Sequence, residues 1–338
     1  MGRILCSRIE IITVLSETIG YKSGLTLSKN EISERLPEYN DIWDGDDNDG
    51  LGIRSEVFAD MVVKLLHKVG NIPSPKSPSI GLELYKKYVD NPKHQALLVE
   101  IIDLFSKVVP EIQKVQQNKG EPFTLDPFME LVLEKYGKGI PIRIALDYIE
   151  SLQFAAYIDP WSDVRYVSWK DTLELSHLFK SESLSTYYGN FFDQRFIDYL
   201  YQNFDDIDRM NWRQFEGLTA EFYDREGFYV NIGPGRDDGG IDARVWPNER
   251  DSEKPPLILI QCKRQKERIG KVIVKALWAD IQAENARSGL IVTTNSLSPG
   301  AEKVSSARAY PINVTDRKTL GEWLLKMRSP HTGVFLGE

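Results

Sequence analysis

The chain has 338 residues and a mass of 38.7 kDa, too long for one typical domain of about 100–150 residues. Its 41% hydrophobic and 27% charged residues exclude wholesale disorder, and its two cysteines, Cys6 and Cys262, exclude both a disulfide framework and a four-cysteine zinc site. Asp and Glu number 50 against 42 Lys and Arg, a formal charge of -8, which taken as an average disfavours a nucleic-acid partner.

The first ten residues lack the apolar core of a signal peptide, and the longest apolar runs fall far short of the roughly 18 residues of a membrane span. These features predict a soluble, cytoplasmic protein with no membrane partner. Leu5, Ile9, Ile12, Leu15 and Ile19 recur at steps of three or four, predicting a helix over Ile4 to Ile19. Ser28 can cap a second helix over Glu31–Leu36. Val57, Met61, Leu65 and Val69 predict a third over Val57 to Val69. The acidic stretch from Asp44 fails as a calcium loop, because Asp49 stands where glycine is needed and Ser55 where glutamate is needed. Three prolines within residues 72–79 then break regular structure and predict a linker.

Beyond it, Leu97–Val115, Pro127–Tyr136 and Ile142–Leu152 read as helices. Phe154–Ile158 and Val164–Trp169 read as strands joined by the turn Asp159-Pro160-Trp161-Ser162-Asp163. Two short helices followed by a hairpin is the order of a winged helix, and equally of a generic helical domain carrying one hairpin. From Asp206 onward, helix and strand alternate: Trp212–Glu226, Phe228–Ile232, Gly239–Val245, Leu257–Lys263, Val272–Ala286, Gly289–Thr294, Pro299–Ala309, Ile312–Val314 and Leu320–Met327. The chain is therefore predicted to be multidomain, with a mainly α N-terminal region followed by an α/β domain. The expected parts are a helical region over residues 1–71, a helical region with a hairpin over 80–205, and the α/β domain over 207–330.

The chemistry concentrates in two places. The strand Leu257–Lys263 is apolar until it ends in Gln261-Cys262-Lys263, and strand alternation turns Gln261 and Lys263 to one face and Cys262 to the other. Two polar residues on one face of an apolar strand need partners, since burying them unpaired is costly. The other place is Asp237-Asp238-Gly239-Gly240-Ile241-Asp242, where two glycines allow a close backbone approach ahead of Asp242. A carboxylate, an amide oxygen and a lysine at neighbouring strand ends can hold a hard cation and position a water. Asp237 and Asp238 themselves fit a turn with side-chain-to-backbone bonds. Gly233-Pro234-Gly235 lacks the third glycine of a dinucleotide loop, and the four histidines show no metal-ligand spacing.

Taken in order, Phe215-Glu216, Gly227-Phe228, Asp238-Gly239-Gly240-Ile241-Asp242, Gln261-Cys262-Lys263-Arg264 and the strand Gly289–Thr294 resemble the Mrr-type restriction endonuclease catalytic domain. That family belongs to the PD-(D/E)xK nuclease superfamily, in the variant with glutamine at the second acidic position. The resemblance covers roughly residues 207–327 and does not reach residues 1–205. It implies a restriction-endonuclease-like fold with a central mixed sheet, and a metal-dependent endonuclease that hydrolyses DNA phosphodiester bonds in restriction or anti-phage defence. Asp242 would be the central metal ligand, with Gln261 in the second acidic position and Glu216 completing the site. Lys263 would orient or help deprotonate the attacking water. The implied cofactor is Mg²⁺, with Mn²⁺ as a substitute. The implied partners are DNA, a second copy of the chain, and a defence-system protein contacted through residues 1–205. The competing reading is a DNA- or protein-binding component whose nuclease fold is architectural or regulated.

With Gln261 neutral, Asp242 and Glu216 carry the negative charge, so metal affinity should be weak until substrate phosphate arrives. Arg264, Lys266, Arg268, Lys271 and Lys275 follow the lysine and form either a phosphate-backbone track or a solvated, charged loop. The charge also divides unevenly: residues 207–338 carry 20 basic against 18 acidic side chains, and residues 1–206 carry 22 against 32. The acidity belongs to the N-terminal region, so the average does not exclude a nucleic-acid partner for the α/β domain.

Overall fold

The computed structural model describes residues 2–75, 80–120, 122–235 and 240–328. Two compact units are present. One comprises the described residues up to Pro75 together with those from Arg165 onward, and the other lies between them, so the expected region 80–205 is divided at 164/165. Residues 76–79 of the proline-rich stretch lie outside the described residues, as do Arg236, Asp237, Asp238, Gly239 and His331. Among the described residues, no helix is long and apolar enough to cross a membrane.

The first unit begins with a strand, β1 (Arg3–Ser7), and only then enters α1 (Arg8–Ser23). The predicted helix ran four residues too early because Leu5 continues the apolar spacing, yet Leu5 is 78% exposed. The start is set instead by a capping box. The Ser7 side chain accepts from the Glu10 N–H, and the Glu10 carboxylate accepts from the Ser7 N–H. Next come β2 (Leu25–Thr26), α2 (Lys29–Arg35), α3 (Asn40–Trp43), β3 (Gly50–Arg54) and α4 (Ser55–Lys68). β1 pairs antiparallel with β3, and Ser28 caps α2 with Glu31 as its reciprocal partner.

In the second unit, α5 (Ile80–Tyr88), α6 (Pro92–Lys119), α7 (Asp126–Tyr136) and α8 (Ile140–Ile158) enclose a core that includes Leu98, Ile101, Phe128, Val132 and Ile144. The predicted hairpin is not formed. Phe154–Ile158 are the last turns of α8, and residues 164–169 contain no strand. The run Phe154-Ala155-Ala156-Tyr157-Ile158 reads as a strand in isolation, but it continues α8, where Tyr157 and Ile158 are buried as helical residues. The helix ends only at Asp159, ahead of Pro160. The winged-helix expectation, which rested on that hairpin, falls with it.

The chain rejoins the first unit through β4 (Leu173–Glu174), which pairs in parallel with β2, and through α9 (Ser176–Lys180) and α10 (Gln194–Gln202). Arg195 fastens this return. Its buried guanidinium donates to both Asp193 carboxylate oxygens and to the carbonyls of Gly24 and Asp171.

The α/β portion follows the predicted order closely. α11 (Trp212–Arg225) leads into β5 (Tyr229–Ile232), β6 (Ala243–Trp246), β7 (Ile258–Lys263), α12 (Lys271–Ala283), β8 (Ser288–Thr293), α13 (Pro299–Ala307), β9 (Ile312–Thr315) and α14 (Arg317–Met327). The five strands form one mixed sheet in sequence order, antiparallel from β5 to β7 and parallel from β7 to β9. The antiparallel strands are joined without an α-helix, whereas each parallel connection carries one, as geometry demands. Leu259 of β7 packs with Val274, Leu277 and Ile281 of α12 and with Ile291 of β8. α11 lies against β5, β6 and β7, with Phe215 and Leu218 buried.

Candidate active site

The site forms where β6 and β7 run side by side. Asp242 stands one residue before β6, and its N–H donates to the Ile260 carbonyl at 2.9 Å. Its Oδ2 accepts from the Cys262 N–H at 2.5 Å. The carboxylate is thus fixed at the backbone that carries Gln261. Asp242 and Gln261 are each only 7% exposed, and Glu216 on α11 is 4% exposed. Glu216 accepts from Arg213 Nη1 at 2.7 Å, and the Asp242 carboxyl lies beside it. Burial raises the Glu216 pKa to about 8. The Arg213 guanidinium opposes the shift, and the neighbouring Asp242 charge adds to it.

Gln261 shares the Leu259 face of β7 by strand alternation. Its Oε1 is buried and has no hydrogen-bond partner among the described residues. Its Nε2 lies 3.0 Å from where a Cβ on Gly240 would stand, and Gly240 has φ +92°. Glycine is therefore needed at position 240 on two counts, backbone conformation and space. A buried amide oxygen left without a donor is costly, and a cation held between it and the two carboxylates would satisfy it. The donor set of two carboxylates and one amide oxygen fits a hard divalent ion. Among the described residues, no cluster of three His, Cys, Asp or Glu side chains suited to a metal is present, so the amide oxygen is needed to complete such a set.

Lys263 is partly exposed at the end of β7, two residues beyond Gln261 and on the same face. The Cys262 thiol turns the other way and lies 3.5 Å from the buried Thr219 hydroxyl. Burial, with the Asp242 charge adding to it, pushes the thiol pKa up, which makes it a poor nucleophile.

The basic residues after Lys263 behave unequally. Arg264 donates from Nη1 to the Asp208 carbonyl at 2.5 Å, whereas Lys266 and Arg268 are exposed in the loop, and Lys271 and Lys275 are exposed on α12. The loop is anchored, because Asn295 Nδ2 donates to the Lys266 carbonyl and Ile269 exchanges backbone bonds with Ser296 and Ser298. Sequence reasoning missed Arg213. The signal was present as Arg213 and Glu216 three apart on one helix, a spacing that brings side chains together.

A mixed five-stranded sheet whose adjoining strands present Asp242, Gln261 and Lys263, with Glu216 on the flanking helix, defines a restriction-endonuclease-like domain. Residues 207–324 match the Mrr catalytic-domain family model, described as a restriction endonuclease. The segment is thus an Mrr-type restriction endonuclease domain. The chain is also similar to the Uncharacterized protein y4cE of Sinorhizobium fredii (strain NBRC 101917 / NGR234), with 26% identity over 117 residues, which is 34% of this chain and 30% of that protein. The matched stretch therefore spans less than a third of that relative's length. Among solved structures, the MspJI restriction endonuclease in complex with a 27-mer oligonucleotide is similar over 51% of this chain and 39% of its own, at 16% identity and a TM-score of 0.26.

Proposed function

We propose that the protein is a divalent-cation-dependent endonuclease that hydrolyses DNA phosphodiester bonds, in restriction or anti-phage defence. The observation that carries this reading is the buried Gln261 Oε1, unpartnered among the described residues, one residue before the Cys262 N–H that donates to the Asp242 carboxylate. Asp242, Gln261 and Glu216 would hold Mg²⁺, with Mn²⁺ able to replace it. When bound, the ion supplies charge neutralisation of the phosphate and lowers the pKa of water toward neutrality.

The protein's own groups do the rest. The Cys262 N–H fixes the rotation of the Asp242 carboxylate. Arg213 donates to the Glu216 carboxyl and holds it in place while the site awaits its cation. Lys263, with no hydrogen bond or ion pair among the described residues, is available to orient the attacking water and to stabilise charge developing on the phosphate. Lys266, Arg268, Lys271 and Lys275 would meet the backbone beside the site, and Arg264 would join them once released from Asp208. The protein would work in the cytoplasm, pair with a second copy to cut both strands, and use residues 1–205, outside the matched domain, to meet a defence-system partner.

The test is plasmid cleavage in Mg²⁺ or Mn²⁺ by wild type, Asp242→Ala and Lys263→Ala. Cleavage by wild type alone is expected. DNA binding without cleavage under any condition would favour an architectural or regulated nuclease fold instead. Wild-type rates in both variants would show that the site residues are wrongly assigned.

A further inference from the structure

The parallel register of the sheet lines up the carboxyl ends of β7, β8 and β9. Lys263 sits opposite Thr293, and Val292 sits opposite Thr315. Neighbouring strands lie about 4.8 Å apart, so the edge from Lys263 to the start of α14 spans roughly 10 Å. Beyond β8 and β9 this edge opens into a groove of about 500 Å³, lined in part by Phe204, Thr294, Asn295, Ser296, Arg317 and Lys318. Hydroxyls, an amide, two cations, the Asp316 carboxylate and the Phe204 ring line a space that the catalytic residues do not occupy.

The two arginines nearest this edge are engaged by the acidic turn Phe204–Asp208. Arg317 donates from Nη1 to Asp208 Oδ2 at 2.8 Å and from Nη2 to Asp205 Oδ1 at 2.7 Å, with its guanidinium 5.0 Å from the Phe204 ring centroid. Arg264 donates to the carbonyl of the same Asp208. A guanidinium presenting two N–H donors, here to two separate carboxylates, can also receive the oxygens of a phosphate. The Asp205 side chain is fully exposed, so water competes for this ion pair, and such pairs are weak. Lys318 is 86% exposed and, among the described residues, pairs with Glu322 at 3.8 Å.

We propose that this groove is a second binding site of the catalytic domain, taking the sugar-phosphate backbone of DNA as it leaves the catalytic edge. Asp205 and Asp208 occupy Arg317 and Arg264 in the free protein and give them up when phosphates arrive. The inference rests on the reading of the domain as a DNA nuclease and adds Arg317 and Lys318 to its contacts.

The experiment is fluorescence anisotropy of a labelled duplex with the full chain in Ca²⁺, at several salt concentrations. Arg317→Gln should weaken binding roughly three- to tenfold at low salt and reduce the slope of log affinity against log salt by about 0.9, the loss of one phosphate contact. Lys318→Gln should act in the same direction. Asp205→Asn should tighten binding by about two- to threefold, since it removes one of the two carboxylates that hold Arg317 and the more exposed of them. Because Asp205 and Lys318 are exposed, these two variants test the groove even if Arg317→Gln folds poorly. Unchanged affinity and salt slope in both lysine and arginine variants, or weaker binding by Asp205→Asn, would overturn the proposal. None of these positions lies in the cation site, so the two readings fail separately. A wild type that never cuts, paired with an Arg317→Gln defect in binding, would sink the nuclease reading and leave the groove. A wild type that cuts, with Arg317→Gln and Lys318→Gln binding normally, would remove the groove alone.

Discussion

Cation binding to this site should expel a proton. Glu216 is almost wholly buried, and its pKa is raised to about 8 from an ordinary value of 4.5. Below pH 8 the cation-free protein therefore keeps this carboxyl protonated, and a divalent ion must displace that proton to use it. One obligatory proton means an apparent affinity that changes by about tenfold per pH unit below the folded-state pKa and flattens above it. Between pH 6 and pH 8, Mn²⁺ affinity should rise by about two orders of magnitude on this account. Titration calorimetry in buffers of different ionisation enthalpy reads both the affinity and the number of protons released, which should approach one at pH 6.5. In Glu216→Gln, the pH dependence and the proton release should disappear together. A wild type whose affinity is level from pH 6 to pH 8, or a glutamine variant that still releases a proton, would refute the reasoning. The same shift acts on stability. A carboxyl whose folded pKa is raised holds its proton more tightly in the native state, so native stability declines as pH rises from about 4.5 toward 8. Cation-free Glu216→Gln should accordingly gain in melting temperature relative to wild type across that window.

Two further outcomes follow from the packing. Gly240→Ala places a methyl group 3.0 Å from Gln261 Nε2 at a φ of +92°. It should cost about 1–2 kcal/mol of stability and lower kcat/KM well beyond what the stability loss explains, as read by thermal melts and cleavage rates. Arg195→Met leaves the buried Asp193 carboxylate without its counter-charge and should cost about 3–5 kcal/mol in urea denaturation, with no effect on cation affinity in the folded fraction.

The α/β domain was legible because its elements are chemically distinct. An apolar strand ending in Gln261-Cys262-Lys263 and a pair of glycines ahead of Asp242 mark adjacent strand ends through local pattern alone. Glu216 needed the family resemblance, since a glutamate on an amphipathic helix has no local mark of burial. Arg213 was overlooked although its spacing from Glu216 on one helix marked the pair, whereas the Asp208 carbonyl depends on a neighbour that only the folded chain supplies. The misread elements show local pattern losing to tertiary context. Leu5 kept helical spacing but points to solvent on a strand, while Ser7 and Glu10 held the decisive capping signal. Phe154–Ile158 has strand-like residues, yet it closes a 19-residue helix with Tyr157 and Ile158 buried.

The central claim is that one divalent cation is held jointly by Asp242 and Gln261, with Glu216 completing the set. A crystal structure of the full chain with Mn²⁺ and a DNA duplex, phased to show anomalous scattering, tests it most directly. A strong anomalous peak is expected in contact with the Asp242 carboxylate and Gln261 Oε1, with Glu216 completing its ligand set. A peak elsewhere on the protein, or a Gln261 oxygen satisfied by a protein N–H with no ion beside it, would contradict it.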